Sequence, residues 1–314
     1  MVSTVTGDVG AEDLGIVLMH EHVVTKSPGL AEAFPETYPT DAVIRHCTEV
    51  LSRLRAEWGV QTIVDHTTIE LGRDVGILKE ISARSGMQII ACTGIWVEPS
   101  AYYHHRAPSE TAELFTREIR SGVTATGIRP GVVKCGIGPA GLTDPVERAI
   151  RAAALAHRAT GVPVTVHTSV ENQSGLMAVE VLREENVDLR DVIIGHSGDT
   201  ENLDYLRALL DAGVWLGMDR FGVEDRLADD RRVRVVSRLC AEGYAGRLLL
   251  SHDASCWSGR LTDAYKAAVR PNWHFRRIFE YVIPSLRSLG VPQAAIDTML
   301  QANPRALFSR PGRA

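Results

Sequence analysis

Two histidines, His20 and His22, follow the first strongly apolar run of the chain, Leu14 to Met19. Side chains of a β-strand alternate between its two faces, so both imidazoles are expected to point the same way and Glu21 the opposite way. Two convergent imidazoles provide half of a typical metal site. A pair of surface histidines at a strand edge is the alternative, and the rest of the chain must decide between the two.

Further residues able to do chemistry follow other short apolar runs. They are Asp65 and His66, Thr93 to Trp96, Lys134, His167, His196, Asp219 and Arg220, and Asp253. A lone histidine on an apolar strand is more often a satisfied core residue. A set of histidines with a lysine and an aspartate, all at strand ends, instead indicates one shared site in a fold that gathers those ends.

The apolar runs are predicted to be strands, and the stretches between them amphipathic helices. The predicted strands are Ile16 to His22, Gln61 to His66, Gln88 to Ile95, Gly131 to Gly136, Pro163 to His167, Val192 to His196, Val214 to Gly217 and Leu248 to Asp253. The predicted helices are Asp41 to Trp58, Asp74 to Ser85, Ser109 to Ser121, Asp144 to Thr160, Ser174 to Glu185, Asn202 to Ala212 and Arg226 to Glu242.

This alternation predicts an α/β fold of the (β/α)8 TIM-barrel type, with the active site at the C-terminal ends of the strands. A doubly wound open sheet is the alternative, but it usually carries a glycine fingerprint where this chain has His-Glu-His. We expect Asn272 to Leu289 and Pro292 to Leu307 to be closing helices, and Met1 to Leu14 to be a small hairpin over the barrel bottom. Nothing marks a domain boundary, so a single barrel domain over residues 1–314 is expected.

Composition narrows the function classes. The chain has 314 residues, of which 45% are hydrophobic and 23% charged, as in an ordinary globular enzyme with a sizeable core. A net charge of -5 predicts no nucleic-acid partner. No apolar run approaches the roughly 18 residues of a membrane span, and the N-terminus does not resemble a signal peptide, so a cytoplasmic location is expected. Five scattered cysteines without a CxxC pair argue against a disulfide framework or a thiolate zinc site.

Lys134 lies inside the apolar run Gly131 to Gly136. Burial disfavours an ammonium group and makes it lose its proton more readily. A neutral amine can react with carbon dioxide to form a carbamate, which is an oxygen ligand able to bridge two metal ions. A lysine that reaches solvent or pairs with an acid is the alternative.

Taken together, these motifs resemble the phosphotriesterase family of the amidohydrolase superfamily, over nearly the whole chain. The matching segments are Leu18 to His22, Val133-Lys134, Val166-His167, Gly195-His196 and Ser251 to Asp253, with Thr4 to Gly7 near the start and Asn303 to Arg305 near the end. The resemblance implies that His20, His22 and Asp253 hold the more buried of two metal ions. It implies that His167 and His196 hold the more exposed ion, and that carboxylated Lys134 and a hydroxide bridge both.

The chemistry implied is hydrolysis of an ester-like centre. Two divalent ions make a shared water a hydroxide near neutral pH, and Asp253 accepts the proton of this nucleophile and passes it to the leaving group. Zinc is the metal expected first, although imidazole and carboxylate ligands also suit cobalt, manganese and iron.

The loops bear on the substrate, because the resemblance implies that Trp96 and Arg220 line the pocket. Tryptophan at position 96 is typical of the triesterases, whereas Met218 to Gly222 and the compact segment Asp253 to Trp257 look more like the lactonase branch. We expect a lactonase, acting for example on acyl-homoserine lactones, with promiscuous hydrolysis of organophosphate triesters. For Arg220 the alternative is a surface charge paired with Asp219, and for Trp96 it is core packing.

Two other functions stay open. One is a phosphotriesterase acting mainly on organophosphates, and the other is a barrel that uses its pocket or metal only for binding. The expected partners are a small-molecule lactone or organophosphate and, by the resemblance, a second copy in a homodimer.

Overall fold

The structure is a computed structural model that describes residues 1–310, and residues 311–314 of the expected single domain lie outside the described residues. Its strands are β1 (Val2–Thr4), β2 (Gly7–Val9), β3 (Ile16–Thr25), β4 (Val60–Asp65), β5 (Gln88–Gly94), β6 (Val132–Gly136), β7 (Val164–His167), β8 (Val192–Ile194), β9 (Trp215–Met218), β10 (Leu248–Leu250) and β11 (Ser255–Ser258). All of the strands predicted from the sequence are therefore confirmed, with small differences at their ends.

Helices separate the strands, as predicted. They are α1 (Leu30–Ala33), α2 (Thr40–Trp58), α3 (Val75–Ser85), α4 (Pro108–Ser121), α5 (Asp144–Thr160), α6 (Ser174–Glu184), α7 (Leu203–Asp211), α8 (Asp229–Ala241), α9 (Asp263–Val269), α10 (Ile283–Ser288), α11 (Gln293–Asp297) and α12 (Asn303–Phe308). Wider π-helical turns, Ile278–Val282 and Thr298–Ala302, lead into α10 and α12. The first closing helix thus begins later than the predicted Asn272, and His274 lies in a turn. No helix among residues 1–310 is long and apolar enough to cross a membrane.

The parallel sheet closes on itself through β11. The strand order is β10-β9-β8-β7-β6-β5-β4-β3-β11, and β11 pairs with β3 so that Ser255 lies opposite His22. Just before β11, the backbone N–H of Asp253 donates to the carbonyl of His20 at 3.0 Å. The segment that continues from the last strand therefore joins the first one, which confirms the (β/α)8 barrel over the open sheet.

The first barrel strand supplies both the core and the site. Leu18 packs in the core between sheet and helices, whereas Val17 and Met19 pack in the core that also contains Val2 and Leu14 of the N-terminal segment. That segment forms the expected hairpin, with Val2 opposite Val9. The apolar contacts of this segment cover the barrel at the end where β3 begins.

Candidate metal centre

An irregularity in β3 directs its histidines. The register between β3 and β4 shifts between Leu18 and Glu21, where three steps of β3 match two steps of β4, from Ile63 to Asp65. One extra residue in a strand is a β-bulge, which changes the face to which the following side chains point. His20 and His22 consequently point into the barrel mouth, although strict alternation would put them on the same face as the outward Leu18.

Six side chains predicted from the sequence lie together at this mouth. The ligating atoms of His20, His196 and Asp253 all lie within 4.8 Å of one another. Asp253 Oδ1 is 3.1 Å from His22 Nε2 and 3.4 Å from His20 Nε2. His167 Nδ1 is 2.8 Å from His196 Nε2. His196 is therefore close to both Asp253 and His167, and the distances bring the histidines and Asp253 together around one shared space.

The outward nitrogens of three of these histidines have fixed partners. Asp219 accepts from both His20 Nδ1, at 2.7 Å, and His196 Nδ1, at 2.9 Å. His22 Nδ1 is 2.9 Å from the Thr67 hydroxyl. Partners of this kind set the tautomer and the ring orientation of metal-binding histidines. The opposite Nε2 atoms are left facing the shared centre.

The charges of the cluster are those that a cation site requires. Burial lowers the pKa of His20 to about 4, so this imidazole is neutral near pH 7. Burial alone would raise the pKa of Asp253, but its electrostatic interactions with His20 and His196, its hydrogen bond with His22 and the charge of Arg220 hold this pKa well below its usual value. Neutral imidazoles and an ionised carboxylate are the states that ligate metal ions.

Two of the clustered residues have unusual backbones. His196 has φ +61° and Asp253 has φ +54°, which is the left-handed region that side chains with a Cβ rarely adopt. Each such residue costs about 1–3 kcal/mol, and this cost is found mainly at functional sites. The backbone conformation therefore supports a functional role for both residues.

Lys134 is buried at the centre of the same cluster. It is 1% exposed, and its Nζ lies 3.0 Å from His20 Nε2. Burial lowers its pKa, more than the nearby carboxylates Asp253 and Asp219 raise it. The side chain neither reaches solvent nor forms a direct ion pair among residues 1–310.

Arg220 lies in the interior and connects two carboxylates. Its Nε donates to Asp253 Oδ2 at 3.0 Å, and its Nη1 to Asp199 Oδ2 at 2.7 Å. The other oxygen of Asp199 accepts from Arg232. The alternative of a surface charge paired with Asp219 is wrong, because Asp219 is occupied by the histidines. Asp199 and Arg232 hold Arg220 in place, a function that the sequence does not reveal because both lie on other segments.

A cavity of about 290 Å³ opens onto the cluster. It is lined by His22, Thr25, Leu71, Trp96, His167, Arg220, Val223, Arg226, Asp253, Ser255, Ser258, Arg260, Leu261, Arg270 and Trp273. Trp96 thus lies in the pocket wall, as expected, rather than in the core.

His66 does not line the cavity; its Nε2 is 3.0 Å from the Thr165 hydroxyl, in the barrel interior. Cys256 borders a separate cavity beside α2.

A sequence model of the phosphotriesterase family matches residues 1–308. The chain belongs to the phosphotriesterase family. It is 38% identical over 321 residues to the "Phosphotriesterase homology protein" of Mycobacterium tuberculosis, covering 99% of this chain and 98% of that one. It is 35% identical over 306 residues to the "Aryldialkylphosphatase" of Saccharolobus solfataricus, covering 96% and 97%. A solved phosphotriesterase structure from Mycobacterium tuberculosis matches with a TM-score of 0.95 and 38% identity, over 98% of each chain.

Membership makes this protein a hydrolase of a binuclear metal enzyme family, and the donor set fits such a centre. His20, His22 and His196 present Nε2 atoms whose opposite nitrogens are held by Asp219 or Thr67. Asp253 offers an ionised oxygen to the same space. Imidazole and carboxylate are ligands of divalent transition metals, and no thiol of the described residues is among them.

Proposed function

We propose that this member of the phosphotriesterase family is a metal-dependent lactonase that also hydrolyses organophosphate triesters slowly. The observation that carries the proposal is the pairing of Arg220 with Asp253 at 3.0 Å, beside the histidine cluster and in the pocket wall. Opening a lactone releases an alkoxide, which is a poor leaving group that needs a proton and nearby positive charge. A carboxylate that carries the proton and a guanidinium beside it meet both needs.

For the metal centre we propose the ligands predicted from the sequence. His20, His22 and Asp253 would hold one divalent ion, His167 and His196 a second, and Lys134 would bridge them as a carbamate. Two zinc ions, or cobalt, manganese or iron, would supply a hydroxide near neutral pH and polarise the oxygen that gains charge. Lys134 supports this assignment through its burial and its 3.0 Å distance from His20.

The chain's own residues would orient the substrate and move the proton. Asp253 would accept the proton of the nucleophile through Oδ1 or Oδ2 and deliver it to the leaving oxygen. Arg220 would hold Asp253 in position, and its own position depends on Asp199. Trp96 would provide an apolar wall and keep water away from the bound ester.

A second candidate is a phosphotriesterase with organophosphates as its main substrates. It is favoured by the aromatic wall that Trp96 gives the pocket and by the 35% identity to the Saccharolobus solfataricus protein named for that activity. The test is kcat/KM for a γ-lactone, such as an acyl-homoserine lactone, and for an aryl dialkyl phosphate on the zinc-loaded protein. A higher value for the lactone supports the lactonase, and a higher value for the phosphate supports the triesterase.

We also propose a homodimer. Large apolar side chains are exposed on the loops after β3, β4 and β5, namely Leu30 (46%), Phe34 (51%), Ile69 (54%) and Tyr102 (49%). These loops follow three neighbouring strands of the barrel, and the interface of a dimer would cover their apolar side chains. Sedimentation of the wild type and of Phe34→Lys tests the proposal, and a monomeric wild type at micromolar concentration would contradict it.

A further inference from the structure

The mouth of the pocket is strongly basic. Four arginines line it, Arg220, Arg226, Arg260 and Arg270, whereas Asp253 is the one carboxylate among the lining residues. The chain as a whole carries a net charge of -5, so this concentration of positive charge is local. A cleft lined by one sign of charge attracts ligands of the opposite sign.

Carboxylates pair with three of these arginines, although one of the three pairs is weak. Arg220 is held by Asp199 and Asp253 inside the barrel. Arg270 donates to both oxygens of Asp225, at 2.9 and 2.8 Å. The pair of Arg226 with Glu171 is long, at 3.9 Å, and both side chains are exposed, so it contributes little.

Arg260 differs from the other three. Its guanidinium has no carboxylate partner among residues 1–310, and its central carbon lies 4.8 Å from the ring centre of Trp96. A guanidinium near an aromatic ring keeps N–H donors free for a second partner. Arg260 and Trp96 come from loops after β11 and β5, so the contact joins two parts of the pocket wall.

The backbone of Arg260 is fixed by the end of β11. The Ser258 hydroxyl oxygen accepts from the N–H groups of Arg260 and Leu261, both at 3.2 Å, and from the Thr25 hydroxyl at 3.0 Å. The turn is therefore tied to both β11 and β3. Leu71 and Leu261 give the same cavity apolar lining.

We propose that the substrate carries an oxyanion group, a carboxylate or a phosphate, at the end away from the bond that is cleaved, and that Arg260 binds it. This inference rests on the proposed lactonase function. A guanidinium matches carboxylate and phosphate geometry with two parallel hydrogen bonds. Arg226, whose pair with Glu171 is long and exposed, adds to the attraction for an anion. The neutral tail of a simple acyl lactone would leave Arg260 unused.

The test compares lactones of equal length whose tails end in a carboxylate, a phosphate ester or a neutral amide. We expect kcat/KM of the wild type to be about tenfold higher for an anionic tail than for the amide, as one charge-assisted hydrogen bond provides. Arg260→Gln should remove most of this ratio. Arg183→Gln, at an exposed arginine on α6, is the matched control and should keep it. The preferred tail identifies the oxyanion.

A second readout separates this inference from the proposed function. Calorimetry measures the Kd of the corresponding lactams for the wild type and for Arg260→Gln. The lactams carry the same tails but contain an amide in place of the ester, so binding is measured separately from lactone hydrolysis. If the anionic lactams bind more tightly than the neutral one, and if Arg260→Gln removes this difference, the inference is supported. The absence of any lactone hydrolysis would overturn the proposed lactonase function but not this inference. Lactone turnover without any preference for an anionic tail, or a preference that survives Arg260→Gln, would overturn the inference alone.

Discussion

Glu21 and His252 form a fully buried pair in which Glu21 Oε1 lies 2.6 Å from His252 Nδ1. The same carboxylate accepts from the Ser251 hydroxyl and from the backbone N–H groups of His252 and Ala254, each at 3.0 Å. The other nitrogen of His252 accepts from the N–H of Ile278 at 3.1 Å. Glu21 therefore fixes the segment that contains Asp253, while its neighbours on β3 point into the pocket.

Replacing Glu21 by Gln should disturb this anchor. The Gln amide nitrogen would face the N–H of Ala254 or of His252, so two donors would meet in the interior. We expect a loss of about 2–3 kcal/mol in the free energy of unfolding, because a hydrogen bond to a charged group is lost and a donor is left unpaired. Urea denaturation measures it. Glu57→Gln, at an exposed position on α2, should change little, and equal stabilities of both variants would contradict the role of Glu21.

Asp219 should control metal affinity without touching a metal ion. Asp219→Asn keeps the size of the side chain but cannot accept from both His20 Nδ1 and His196 Nδ1. Loss of such an orienting partner typically costs 10–100-fold in metal affinity, and we expect about this loss for zinc. Competition with a chromogenic chelator measures the Kd. Asp13→Asn, at an exposed residue near the other end of the barrel, should bind zinc as the wild type does.

Lys134→Ala should remove the proposed bridge. We expect metal content and activity to collapse, with partial recovery when a short carboxylic acid such as propionate is supplied, because it can fill the space and provide the missing oxygens. Metal analysis after gel filtration gives a readout that is independent of turnover. Lys79→Ala, at an exposed lysine on α3, serves as the control. Two retained ions and normal activity in Lys134→Ala would refute the bridging role.

His274 should make the stability pH-dependent. Burial lowers its pKa to about 4, despite the opposing charge of Glu280. The unfolded chain protonates this imidazole near pH 6.5, so its contribution to stability is complete above about pH 6.5 and is lost as the pH falls towards 4. In this window His274→Gln should reduce the slope of unfolding free energy against pH, by up to about 1.4 kcal/mol per pH unit.

Urea titrations at several pH values measure that slope. His105→Gln, at an exposed histidine in the loop after β5, should keep the slope of the wild type. An unchanged slope in His274→Gln would show that other groups cause the pH dependence.

Much of the barrel could be predicted from the sequence because its strands are short apolar runs. Several of these runs end in His, Lys or Asp, which packing of a core does not require. The bulge in β3 could not be predicted. The sequence from Leu18 to Glu21 looks like an ordinary continuous strand, and the extra residue is detected only from the pairing of β3 with β4. The shared face of His20 and His22 was predicted correctly by alternation. That this face is the interior depends on the bulge.

The positions of the candidate ligands follow from strand ends, but the side chains that orient them are scattered. Thr67, Asp199 and Arg232 have no distinctive spacing relative to the histidines, and an Asp in a loop or an Arg on a helix is usually solvated. Their importance arises only when chain folding brings Asp199 to Arg220 and Thr67 to His22. The basic mouth is missed for the same reason, since Arg226, Arg260 and Arg270 are widely spaced.

The closure of the barrel by β11 has a consequence for engineering. Ser255–Ser258 is hydrogen-bonded to β3, so a residue inserted within β11 would turn the following side chains of this strand to the opposite face. A residue inserted between Ser251 and Asp253 would shift Asp253 relative to its neighbours. An insertion after Gly259 would leave that register intact and lengthen only the turn that carries Arg260. Libraries aimed at new substrates should therefore vary chain length beyond Gly259 and side-chain identity before it.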